Sequence, residues 1–132
     1  LPLELYAAVD RIAVGQDTPA TLRLLIKIEE GHHAIAADPG ESAPVGMVPF
    51  RVHAIGGSGI AVYADYPPGE VYGSLEAGSV RVYRGTFELE IVVEQVGEWT
   101  GRPLLAVTYQ TCTDEACSEA TTVELDVAVD RG

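Results

Sequence analysis

The only two cysteines of the chain stand close together near its C-terminal end, in Tyr109-Gln110-Thr111-Cys112-Thr113-Asp114-Glu115-Ala116-Cys117. The residues between them are polar and turn-forming for the most part, as in a short acidic hairpin. Two thiols so placed can close a structural crosslink, cycle between disulfide and dithiol in exchange with another protein, or hold a metal ion with the help of further ligands.

Each chemistry makes its own demand. A crosslink over a loop of roughly six residues stabilises a fold by only about 2 kcal/mol, against about 3 for fifteen residues, so a staple would gain more by joining distant strands. A bridge between the layers of an immunoglobulin domain would separate the cysteines by tens of residues with a Trp between them, and here the lone Trp99 precedes both. A metal site needs three or four ligands. The remaining candidates are His32, His33 and His53, and neighbouring residues on a strand point to opposite faces, so His32 and His33 cannot chelate together and no metal is expected. Asp114 and Glu115 disfavour a thiolate, and no helix N-terminus is at hand to lower a thiol pKa. Sluggish thiols of this kind suit a passive exchange partner whose disulfide is attacked by another protein's activated thiolate. Structural bridge and redox couple both stay open on these grounds. No Ser/His/Asp or paired-carboxylate arrangement stands out to suggest a hydrolase.

The elements that must carry the pair are strands. Leu22, Leu24, Ile26 and Ile28 alternate with Arg23, Lys27 and Glu29; Phe87, Leu89, Ile91 and Val93 with Glu88, Glu90 and Glu94; Val123, Leu125, Val127 and Val129 with Glu124 and Asp126. Weaker strand signals cover residues 3–9, 48–55, 60–64, 79–83 and 104–110, set apart by turn clusters such as Gly56-Gly57-Ser58-Gly59 and Pro67-Pro68-Gly69. Residues 36–45, rich in Pro, Gly and Ala, read as a long loop. No segment holds apolar positions at helical spacing. The pattern predicts about eight strands in an all-β, antiparallel β-sandwich. At 132 residues one domain with its own core is expected, since the length falls in the single-domain range and no linker or repeat divides it.

A net charge of -12, from 20 acidic and 8 basic side chains, repels phosphate backbones and anionic membranes, so nucleic acid is excluded as a partner. No apolar run approaches the 18 or so residues that span a bilayer. The chain has no initiator Met and no basic start followed by an apolar stretch, so any export signal is expected to have been removed or left out. No cofactor is expected.

The segment Tyr109-Gln110-x-Cys112 followed by Cys117, with Gly15-Gln16, Gly31-His32-His33 and Glu70-Val71-Tyr72-Gly73 in the same order ahead of it, resembles the N-terminal periplasmic domain of the thiol:disulfide interchange protein DsbD. The resemblance spans nearly the whole chain. It implies an immunoglobulin-like domain, excised from a larger membrane-bound reductase, in which Cys112 and Cys117 form the redox couple and Cys117 is the sulfur attacked. Gly69, Glu70, Val71, Tyr72 and Gly73 would form a cap loop over the cysteines, hinged at its glycines. Tyr109 and Gln110 would support the sulfurs, and His32 and His33 would pack or hydrogen-bond at a strand end. The implied partners are thioredoxin-fold donors and clients, including those of cytochrome c biogenesis, the implied compartment is the periplasm, with a tether to the inner membrane through the parent protein, and the domain would be monomeric. Departures from the family pattern fall at Gly69, where an acidic residue is common, at Val71, where an aromatic is common, and at Ser118-Glu119-Ala120, which replaces prolines. A valine shield predicts a weakly held cap. The rival reading is a non-catalytic immunoglobulin-like interaction module in which the bridge only stiffens a hairpin.

Overall fold

A computed structural model describes residues 1–74 and 78–132, which contain eleven strands and no helix. In chain order these are β1 (Leu3–Ala7), β2 (Arg11–Val14), β3 (Ala20–Ile28), β4 (His33–Ile35), β5 (Arg51–Ala64), β6 (Glu70–Ser74), β7 (Gly78–Tyr83), β8 (Thr86–Tyr109), β9 (Thr111–Cys112), β10 (Thr121–Glu124) and β11 (Ala128–Arg131).

The larger sheet is built around β8, which pairs antiparallel with β5 along one edge and, on the other, with β3 through its first half and β10 at its end; β1 adds beyond β3. The smaller sheet runs β6-β7-β4-β9, all antiparallel, and β11 lies parallel to β2 as a separate pair. The antiparallel β-sandwich anticipated from the alternation is thus present, with one parallel pair among the described strands.

Alternation is what fixes the faces. Leu22, Leu24, Ile26 and Ile28 are all buried, and Leu89, Ile91 and Val93 meet them from β8, while Arg23, Lys27, Glu88 and Glu90 face water. Fully burying each such aliphatic side chain contributes about 1.5–3 kcal/mol, which offsets the entropy lost on ordering the sheet. Phe50 closes this core against Tyr83 and Phe87 with ring centroids 5.9 and 6.2 Å apart in edge-on contacts.

One expected turn and one expected break between strands are instead interior to strands. Gly56-Gly57-Ser58-Gly59 does not separate two strands: it bends the single strand β5, whose register with β8 shifts on either side of Gly57 and Ser58. Gly59 has φ 104°, and a Cβ there would stand 2.6 Å from the Glu98 carbonyl oxygen, so only glycine permits the close crossing. In the same way the two runs 87–93 and 104–110 belong to one strand. Residues 123–129, in contrast, split: Leu125 and Val127 keep their inward positions, but the chain leaves β8 there and joins β2 as β11.

Candidate functional site

The two faces of the smaller sheet have different neighbours. Ala34 and Tyr83 look into the main core, whereas Ile35, Val80, Val82 and Cys112 form a second apolar cluster, joined by Ala43 and Met47 from the loop before β5 and by Tyr72 of β6. Cys112 therefore ends a strand that is packed on both sides.

From there the chain turns back on itself. The Thr113 amide donates to the Ala116 carbonyl at 2.8 Å, and the Ser118 amide donates to the Thr111 carbonyl at 2.9 Å. Between these two rungs Cys112 faces Cys117 with Cα atoms 3.9 Å apart, in the kind of antiparallel position where side chains lie closest, and their sulfurs are bonded. The Thr113 hydroxyl accepts from the Glu115 and Ala116 amides, each at 3.3 Å, and shapes the acidic turn. Gln110 fastens the hairpin to the body: its Oε1 accepts from the Val48 amide at 2.9 Å and its Nε2 donates to the Ser118 carbonyl at 3.1 Å. Tyr109, on the last residue of β8, is buried, which raises its phenol pKa.

The sulfur-bearing residues are not equivalent. Cys112 is only 3% exposed, while Cys117 is open to solvent. Both border a mainly apolar cleft of about 510 Å³, with Pro2, His32, Tyr109 and Val123 among its walls.

Residues 69–73 lie beside this hairpin, mostly as the edge strand β6. Gly69 is hemmed in: a Cβ there would stand 2.7 Å from the Ala36 Cβ and 2.8 Å from the Arg81 Cβ. Val71, read from the sequence as the shield, is 67% exposed, because alternation along β6 turns it away from the sulfurs. Tyr72 takes the inner position. Its ring lies 4.2 Å from that of His33, its hydroxyl donates to the Asp114 carboxylate in the hairpin turn, and Arg84 sits 5.7 Å from its ring centroid. Arg84 also pairs with Glu70 at 3.4 Å. The hydrogen bond to Asp114 raises the Tyr72 pKa, since ionisation would set two anions side by side.

His33 is 5% exposed and lies opposite Cys112 in the β4–β9 register. Burial pushes its pKa down, and Arg84 adds to that effect, while Asp114 opposes it. The Nδ1 atom of His32 is buried without a hydrogen-bond partner. His53 stands on β5, where its Nε2 meets the Thr108 hydroxyl at 2.8 Å. Among the described residues no group of three or more His, Cys, Asp or Glu gathers as a metal site would require. A larger cavity of about 890 Å³, between Phe50, Tyr66, Pro68 and Arg81, touches the site only through Gly69.

The structure thus gathers Cys112, Cys117, Tyr72, Tyr109 and Gln110, and leaves Val71 outside. Arg84 and Met47 belong to the site as well, and nothing in their spacing in the sequence marks them.

Residues 3–128 match the family described as "Thiol:disulfide interchange protein DsbD, N-terminal". No curated protein matches the chain. Among solved structures, the N-terminal periplasmic domain of ScsB from Proteus mirabilis is similar with a TM-score of 0.63 at 16% identity, over 95% of this chain and 46% of that one. The N-terminal domain of DsbD from Neisseria meningitidis, in the reduced form, is similar with a TM-score of 0.50 at 16% identity, over 81% of this chain and 75% of that one. At such identity the likeness speaks to the fold, and the chain spans less than half the length of the ScsB domain.

Proposed function

The chain belongs to the family of DsbD N-terminal domains, and from that premise we propose that it relays two electrons between a thioredoxin-fold donor and extracytoplasmic client proteins through Cys112 and Cys117. The observation that carries the reading is the asymmetry of the pair: one half-cystine is exposed at the rim of an apolar cleft, the other is buried in the apolar cluster against which Tyr72 packs. An incoming thiolate can reach Cys117 with the least rearrangement. Attack there forms the intermolecular S–S bond, breaks the Cys112–Cys117 bond and leaves the electron pair on Cys112. A second thiol of the donor then resolves the mixed disulfide, and the domain is left as a dithiol; the same steps in reverse reduce a client disulfide.

The segment from Gly69 to Gly73 acts as a cap in this reading. Tyr72 closes it by three contacts, to His33, Asp114 and Arg84, and a partner that displaces that ring uncovers Cys112. The periplasm is the compartment, by analogy with the ScsB domain, and a membrane tether would be supplied by a longer parent protein of which this sandwich is one domain.

Single-cysteine variants test the relay. Cys112→Ser should accumulate a mixed disulfide between Cys117 and a thioredoxin-fold protein carrying a Cys-x-x-Cys pair, and Cys117→Ser should trap far less. Equal trapping by both variants, or by any thiol protein offered, would count against a specific relay. A redox titration separates the rival reading: exchange requires a potential above roughly -300 mV, whereas a bridge that only stiffens the hairpin lies below it.

A further inference from the structure

We propose that His33 is the base that takes the proton from the Cys112 thiol when the pair closes. The inference rests on the exchange reading above and concerns a step that reading leaves open: Cys112 is buried, and a buried thiol is a poor nucleophile until something removes its proton.

His33 is the group placed to do it. Directly paired residues of antiparallel strands project to the same face with Cβ atoms about 4.5–5.5 Å apart, and His33 is paired with Cys112. Both residues are screened from water, and the Tyr72 ring lies tilted against the imidazole and packs against the apolar cluster that contains Cys112. The charged and titratable groups around the imidazole are Arg84 beyond β7, Asp114 in the hairpin turn, His32 on its own strand's approach and the Tyr72 phenol on β6, with Glu70 paired to Arg84. Burial and Arg84 hold His33 in its neutral form near pH 7, which is the form that accepts a proton. The other candidates are less suited. The Asp114 carboxylate is already engaged as acceptor of the hydrogen bond from the Tyr72 hydroxyl, and Glu115 is exposed on the turn.

The step balances as follows. With Cys117 joined to a client sulfur, His33 accepts the Cys112 proton, and the Cys112 thiolate attacks the Cys117 sulfur. The bond from Cys117 to the client breaks, the client sulfur leaves with the electron pair, and it is protonated from the imidazolium or from water. The domain is oxidised by two electrons and the client disulfide is reduced by two. Run backwards, the imidazolium protonates Cys112 as it leaves.

The test uses the reduced protein and a chromogenic aromatic disulfide, dithiobis-nitrobenzoate. Attack by Cys117 releases the first equivalent of chromophore, and closure by Cys112 releases the second. The second phase should slow as pH falls through the histidine range, and His33→Asn and His33→Phe should slow it by about 10²-fold, the lower end of what a positioned base supplies, and remove that inflection while leaving the first phase in place. The smaller, polar Asn variant covers the case in which Phe disturbs the packing, and near-ultraviolet circular dichroism verifies that each variant is folded. A second phase in folded His33→Asn with the rate and pH profile of the unaltered protein overturns the proposal. So does an inflection that His32→Asn removes and His33→Asn retains, since that assigns the base to the other imidazole. No second release from the unaltered protein at any pH overturns the exchange reading itself, and this inference with it.

Discussion

Reduction of Cys112–Cys117 should leave the protein folded, and by an amount that the loop length sets. The bond joins residues five apart, so it closes a loop of about six residues, and the chain-entropy relation gives about 2 kcal/mol for its contribution to stability. With an unfolding entropy of about 2.1 cal/mol/K per residue, the 132 residues lose roughly 0.28 kcal/mol per degree at the midpoint, so reduction should lower Tm by about 7 °C. The same 2 kcal/mol appears in the redox couple through the thermodynamic cycle. The folded domain should hold its disulfide at a potential about 40 mV more negative than the same cysteines in the unfolded chain. Differential scanning calorimetry of oxidised and reduced protein, with a glutathione titration in native buffer and in denaturant, measures both quantities. A fall of about 20 °C, which corresponds to roughly 5 kcal/mol, or loss of the near-ultraviolet dichroism on reduction, would refute the reasoning: the hairpin would then be a structural staple, and a relay that must persist in both states could not use it.

Gly69→Ala places a methyl within 2.7 Å of the Ala36 Cβ and 2.8 Å of the Arg81 Cβ, both fixed by backbone, so it should destabilise the protein by about 1–3 kcal/mol in chemical denaturation; an unchanged midpoint would mean that β6 can shift. Tyr72→Ala removes the ring over His33 and the donor to Asp114, and should speed reduction of the disulfide by a small dithiol, followed by thiol labelling; an unaltered rate would show that β6 does not shield the sulfurs. His33 and His53 both have pKa values lowered by burial from the ordinary 6.5, so the unfolded chain binds more protons than the folded one below that value. Stability should therefore fall as pH drops from about 6.5 through the folded values, and His33→Phe should flatten that slope in urea titrations at a series of pH values; an identical slope would place the linkage elsewhere.

The strands legible in the sequence are those whose two faces meet different surroundings. On β3 and the first half of β8 one face meets the core and the other meets water, and Leu24 against Arg23 or Leu89 against Glu88 records that difference directly. In the smaller sheet β4 and β9 escape such a reading because both are covered on the two faces. All three residues of β4, His33, Ala34 and Ile35, are buried, and β9 has only Thr111 and Cys112, so neither leaves an alternation to detect. Glycines mislead in the opposite sense: at residues 56–59 they permit a strand to bend where their composition suggests a turn.

The candidate site inherits this division. Cys112, Cys117, Tyr109 and Gln110 are contiguous enough to be read as a unit, but the side chain that closes over them depends on parity along β6. A shift of one residue exchanges Val71 for Tyr72, and sequence spacing alone does not fix which of the two faces inward. The pairing of β6 with β7 settles it, because Tyr72 lies opposite the buried Val80 and Val71 opposite the exposed Arg81. Parity along β4 likewise puts His33, and not its neighbour His32, on the face of Ile35 and Cys112. One register, carried across four short strands, thus selects both the ring that packs on the cluster holding Cys112 and the imidazole paired with it. A substitution that slipped β6 by a single residue would put Val71 over Cys112 and expose Tyr72, and would abolish the contacts to His33, Asp114 and Arg84 together.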